Sequence, residues 1–102
     1  MTAKEAFELV GQAIPNSKRS NMFGVECYSI NRRPFMLFYE EELVCKLFGE
    51  VHQEALALEG ASLFNPKKNS KPMGNWVQIP FEHFKLWEYY AQLAREFVIS
   101  NA

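Results

Sequence analysis

The sequence predicts an α+β domain: an antiparallel sheet of about five strands with helices packed mainly on one face, in the order α-β-β-β-α-β-β-α. Three observations lead there. Apolar residues recur at helical spacing at both ends of the chain, over residues 2–14 and 81–99. Between them lie short runs of strand formers at 22–30, 35–39 and 43–48. The breaks between those runs are too short for the crossover that parallel pairing needs. Layers of this kind bury the apolar surface of one sheet under helices.

The first helix has a start signal. Thr2 and Glu5 can form a capping box, each satisfying a free N–H of the first turn. Ala3, Ala6, Phe7, Val10, Ala13 and Ile14 then make one apolar face. Gly11 weakens the last turn, and Pro15 stops the helix. Residues 16–21 are polar and read as a loop.

In the strand over 22–30, Val25, Cys27 and Ser29 share one face, and Glu26, Tyr28 and Ile30 the other. Asn31-Arg32-Arg33-Pro34 makes a turn. The strand over 35–39 ends at the solvated corner Glu40-Glu41-Glu42, and 43–48 completes a meander. Residues 50–59 fit a second helix with Val51, Ala55 and Leu58 inward and Gly60 as its cap. Residues 61–64 form a short strand, 65–72 a polar basic loop, and 75–79 a further strand closed by Pro80. The last helix has Phe84, Trp87, Ala91, Ala94 and Val98 as its stripe, widened by Tyr90, Leu93 and Phe97. The spatial order of the last two strands is left open.

A chain of 102 residues predicts one domain, 1–102. Nine Phe, four Tyr and two Trp suffice for a dense core, with aromatics to spare for a partner or homodimer surface. Eleven basic residues against twelve acidic ones argue against a strongly basic nucleic-acid binder. Every acidic residue is Glu, which disfavours Ca²⁺ and Mg²⁺ loops rich in Asp. The amphipathic N-terminus is unlike a signal peptide and no apolar run spans a membrane, so the expected location is cytoplasmic, with no membrane partner.

The residues resemble those of the TfoX N-terminal domain family. Met22-Phe23-Gly24 opens a strand, Phe35 stands in the next, and Leu43-Val44-Cys45-Lys46-Leu47 forms the third. Phe64 precedes a polar loop, and Met73-Gly74-Asn75-Trp76-Val77-Gln78-Ile79-Pro80 leads into a closing helix. The similarity runs over residues 5 to 100, carried by the ordered set rather than by any one motif. Val25 departs from it, standing where the family often has a second Gly, and the second helix lacks Asp. The resemblance implies a compact α+β domain of MmcQ/YjbR-like shape and a regulatory, competence-regulator-like role, and brings no catalytic residues. The namesake's second, C-terminal domain does not fit in this length.

No residue pattern marks catalysis, a metal or a cofactor. Cys27, Leu37 and Cys45 are expected roughly abreast on successive strands, with the thiols roughly 9–10 Å apart and free. Cys27 and Cys45 read as small core residues before redox groups. His52 and His83 sit at helix starts, without the partners a zinc site needs. Glu40, Glu41 and Glu42 read as a solvated corner before an acid/base cluster. Among basic residues, Lys18, Arg19, Arg32, Arg33, Lys67, Lys68 and Lys71 fall in predicted loops. That is where solvated charge collects; if two or more of those loops converge, they form a cationic edge for phosphate or acidic protein. Gly74 is expected where a side chain would clash, Trp76 packed under a helix in the core before exposed at the surface, and Lys46 on the solvent face or snorkelling along it. The expected function is therefore a non-enzymatic regulatory or protein-interaction domain, with a nucleic-acid-binding accessory domain as the alternative.

Overall fold

Thr2 caps the first helix, α1 (Ala3–Ala13), with the predicted capping box: its Oγ1 accepts from the Glu5 N–H at 3.1 Å, and Glu5 Oε1 accepts from the Thr2 N–H at 2.8 Å. In this computed structural model, which describes residues 1–22, 24–66, 68 and 71–100, α1 buries Ala3, Ala6, Phe7, Val10 and Gly11. Ala13 is exposed, contrary to expectation, because the buried stripe passes through Gly11 instead.

Gly11 lies against Tyr28. A Cβ at position 11 would stand 2.2 Å from Tyr28 Cζ. The glycine therefore lets the Tyr28 ring rest on the helix backbone, where Phe7 meets it edge-on at 5.4 Å.

Polar residues 18–21, expected in a loop, instead join Met22 in β1 (Lys18–Met22), the first strand of a six-stranded antiparallel sheet. The predicted strand over 22–30 is thus split by a turn: Met22 ends β1, and β2 runs Val25–Ile30. β3 (Arg33–Tyr39), β4 (Glu42–Lys46), β5 (Ser62–Phe64) and β6 (Met73–Ile79) complete the order β1-β2-β3-β4-β6-β5. β6 therefore lies inside the sheet and β5 at its edge.

An edge strand need not be apolar on either side, and charge there blunts edge-to-edge association. β1 is held instead by pairing and polar contacts. Arg19 bonds Glu8 of α1 at 2.7 Å and also Glu26 of β2, which Lys4 reaches at 3.3 Å. Ser20 Oγ stands 2.7 Å from Ser29 Oγ.

The Glu26 carboxyl feels opposing influences. Burial raises its pKa, but the bonds and charges of Lys4 and Arg19 together outweigh burial and hold it below the ordinary value. A carboxyl lowered on folding contributes stability that is complete above its unfolded pKa, near about 4.3, and is lost as pH falls through the folded value. Glu26→Gln should lower the urea midpoint at pH 7, and the gap to the native chain should narrow at pH 3. A gap that is unchanged by acid would contradict the ion-pair assignment.

The hairpins β2–β3 and β3–β4 have two-residue loops, Asn31-Arg32 and Glu40-Glu41. All four residues have positive φ, at 52°, 67°, 49° and 64°. Positive φ at both central positions is the type I′ pattern, which favours Asn-Gly. The β2–β3 register shifts between Tyr28 and Ser29, opposite Met36 and Pro34, so Phe35 is the extra residue of a bulge.

The second helix, α2 (Gly49–Leu56), ends before Gly60, whose φ of 82° serves the following turn. A 3₁₀ turn, Phe81–His83, leads into α3 (Phe84–Ser100). α1, α2 and α3 cover one face of the sheet, where Phe7, Tyr28, Met36, Leu43, Ile79 and Trp87 meet in the main core. Phe84, expected in the buried stripe, is 38% exposed at the first residue of α3, where the Phe81 ring packs against both it, at 5.4 Å, and Trp87, at 5.7 Å. Trp87 is fully buried.

The opposite face carries a second cluster made only of strand residues: Cys27, Leu37, Val44, Phe64 and Trp76. Among the described residues no helix packs on this cluster. Met22, Val25, Tyr39 and Met73 close over the small residues, with Tyr39 edge-on to Phe64 at 5.0 Å.

Candidate functional site

Alternation along the strands decides which charges reach the helix-free face. Lys18 is opposite Ser29, and Lys46 is opposite Trp76, so both point to that face. Arg19 points the other way, into its ion pairs with Glu8 and Glu26. Among the described strand residues the only carboxylate on the helix-free face is Glu42, which accepts from Gln78 Nε2 at 2.8 Å near the opposite end of β4.

At the Lys46 end the face opens into a cavity of about 330 Å³. Its cationic lining is Arg32, Arg33 and Lys46, and among the described residues lining it none is acidic. Its apolar lining comes from Met22 and Pro34, from Phe48, Met73 and Trp76, and from Phe97 and Val98 near the end of α3. The Lys46 ammonium lies 5.8 Å from the Trp76 ring centroid, a cation–π distance that holds the charge at the rim. Trp76 is 7% exposed, so it is buried as expected, but among strand residues on the helix-free face rather than under a helix.

A second groove, of about 820 Å³, runs beside β1. It is lined by the successive residues Asn16 to Asn21 together with Ser29, Asn31, Arg32 and Pro34. Arg32 and Pro34 line both spaces, so the groove and the cavity adjoin.

The predicted basic set is therefore divided. Lys18, Arg32 and Arg33 come together with Lys46, a residue singled out as part of the family pattern. Lys18 and Arg19 lie on a strand rather than in a loop, and Arg33 begins β3. Lys68 and Lys71 are exposed and line neither space. Lys67 lies outside the described residues, as does Phe23 of the Met-Phe-Gly run.

Of the other residues in the family pattern, Met22 and Met73 line the cavity. Gly24 adopts a φ of 78° after β1, a conformation suited to glycine. The Pro80 carbonyl accepts from Trp87 Nε1–H at 3.2 Å. The reason expected for Gly74 is wrong: a Cβ there would meet nothing within 4 Å. Its carbonyl instead holds His52, at 2.6 Å from Nε2.

The remaining candidates for chemistry are engaged elsewhere. Cys27 and Cys45 are free and fully buried. They are not abreast: Cys27 pairs with Leu37, but Leu37 pairs with Val44, and Cys45 pairs with Met36. The thiols consequently lie on opposite faces, and burial pushes the Cys45 pKa up. His83 Nε2 is 2.8 Å from the Glu59 carbonyl, tying the 3₁₀ turn to the segment after α2. Tyr90 donates to Glu54 at 2.8 Å, and burial followed by that bond pushes its pKa up. Glu40 and Glu41 are exposed at the hairpin corner, as expected, whereas Glu42 belongs to β4. Among the described residues no group of three or more His, Cys, Asp or Glu could hold a metal ion.

Pro34, Phe48, Phe97 and Val98 were not foreseen as site residues. In sequence they read as turn, strand end and core stripe, and only their convergence gives them another role. Among the described residues no helix is long and apolar enough to cross a membrane. Comparison with known proteins identifies no matching family model, no matching curated protein and no matching solved structure.

Proposed function

We propose that this chain is a non-enzymatic, cytoplasmic interaction domain, regulatory in the manner of the TfoX N-terminal domains it resembles. It binds an acidic segment of a partner protein at the Lys46 end of its helix-free face. One observation carries this reading: Lys18, Arg32 and Lys46 border adjoining spaces, and among the described residues lining those spaces there is no Asp or Glu. Cations gathered at one place create a local positive potential that attracts and orients an anionic partner. The burial of Cys27 and Cys45, and the use of His52 and His83 in bonds to backbone carbonyls, support a binding role over a catalytic one.

Nucleic acid is the second reading, favoured by the convergence of Lys18 with Arg32. Single-stranded binding, however, uses aromatic rings as platforms for bases. Trp76 is 7% exposed and has Lys46 over its ring, so it presents little free face.

The test is titration with a fluorescent glutamate-rich peptide and with single-stranded and duplex DNA, at low and moderate salt. The peptide should bind with clear salt dependence, and the double reversal Arg32→Glu/Lys46→Glu should weaken it at least about tenfold, as expected when hydrogen-bonded charges are lost. Binding that ignores salt and the reversal would defeat the proposal. Tighter binding to DNA than to the peptide would favour the second reading.

A further inference from the structure

The cavity is small for an acidic surface site and largely apolar, which narrows the ligand. Its volume of about 330 Å³ lies at the lower end of small-molecule pockets. The walls from Met22, Met73, Phe48 and Val98 suit an aliphatic side chain, while Arg32, Arg33 and Lys46 suit an anion attached close to it. A purely polar acidic segment would leave those apolar walls unused.

The adjoining groove supplies a second constraint. β1 is an edge strand, paired with β2 on one side and, among the described residues, with no strand on the other. Edge strands accept an extended peptide by main-chain pairing. Such a peptide would pass Arg32 and Pro34 to reach the cavity, since these residues line both spaces.

Arg32 itself is in a costly conformation. Its φ is 67°, at a turn position where glycine is relaxed and other residues are strained. The Glu40-Glu41 turn has the same geometry without bordering either space. It is therefore an internal control for strain alone.

Resting on the acidic-partner reading above, we propose that the cavity captures the free C-terminus of a partner protein. Its last side chain, aliphatic, enters the apolar walls. Its α-carboxylate meets Arg32 and Lys46, and the preceding residues extend along β1. A single chain end supplies both the anion and the adjacent apolar group that the lining asks for.

The experiment compares two fluorescent peptides of one sequence, rich in glutamate and β-branched residues and ending in leucine. One has a free C-terminus and the other is amidated. The native chain should bind the free acid at least about tenfold more tightly, the size expected for a charge-assisted hydrogen bond. Arg32→Gly should erase that preference while raising the melting temperature. Glu41→Gly should raise the melting temperature and keep the preference. Lys46→Met, which leaves the turn untouched, should reduce it without the gain in melting temperature. Salt-dependent binding of both peptides with equal affinity would overturn the C-terminus assignment and leave the acidic-partner reading intact. Failure of both peptides to bind would overturn both. Retention of the preference in Arg32→Gly and Lys46→Met would place carboxylate recognition elsewhere and overturn the assignment.

Discussion

Trp87→Ala is expected to destabilise the domain by about 3–5 kcal/mol, the usual cost of removing a buried aromatic. Trp87 is fully buried, packs on Phe81 at a centroid distance of 5.7 Å, and donates its indole N–H to the Pro80 carbonyl. It therefore fixes the start of α3 to the end of β6 as well as filling the core. The substitution leaves a cavity and an unpaired carbonyl, and both effects act in the same direction. Small domains have total stabilities of about 5–15 kcal/mol, so a chain at the lower end would be largely unfolded at room temperature. Urea denaturation followed by far-UV circular dichroism reads the loss. A variant that melted within a few degrees of the native chain would show that Trp87 is not a core anchor.

The second large effect runs against helix propensity. Gly11→Ala in an exposed helix would stabilise by about 1 kcal/mol. Here it should destabilise by about 1–3 kcal/mol, the range for overpacking a core. The added methyl would be within 2.5 Å of three Tyr28 ring atoms, and the ring is 6% exposed with Phe7 beside it. For a domain of this length each kcal/mol shifts the melting temperature by roughly 4–8 °C, so thermal melts resolve the sign. Tyr28→Leu should relieve the clash, making the double variant more stable than the sum of the single losses predicts. Strict additivity would contradict the Gly11–Tyr28 contact.

These two residues show where sequence reading succeeds and where it stops. Trp87 falls in a long helical stripe, and period alone places it in the core. Gly11 reads as a weakness of the helix end because its justification, the Tyr28 ring, is on another element. The capping box at Thr2 and Glu5 is legible because both partners lie within one turn. β1 is not legible, since Lys18, Arg19, Ser20 and Asn21 have no apolar alternation and are held by pairing with β2 and by ion pairs. The same applies to Phe84, which keeps the apolar spacing of the stripe yet lies exposed at the helix start, beside Phe81 from the preceding 3₁₀ turn.

The candidate site divides along the same line. Arg32 and Arg33 are recognisable as a basic turn, and Lys46 and Trp76 as members of one strand pattern each. Their meeting depends on the hairpin between β2 and β3 and on the insertion of β6 beside β4. That insertion brings Trp76 opposite Lys46, and it is a long-range pairing that local sequence does not encode. The two faces of the sheet also escape periodicity. Cys27, Leu37 and Val44 are apolar where a one-sided sheet would be polar, because strand side chains bury them without a helix.

The account as a whole rests on where acidic ligand lands. Backbone amide shifts of the ¹⁵N-labelled domain, followed during titration with the glutamate-rich peptide, locate it directly. The predicted result is saturable, salt-sensitive movement at Lys18, Arg32, Arg33 and Lys46, together with the Trp76 indole. Movement confined to the outer surface of α1 and α3, around Leu9, Leu86 and Tyr89, would contradict the placement of function on the helix-free face.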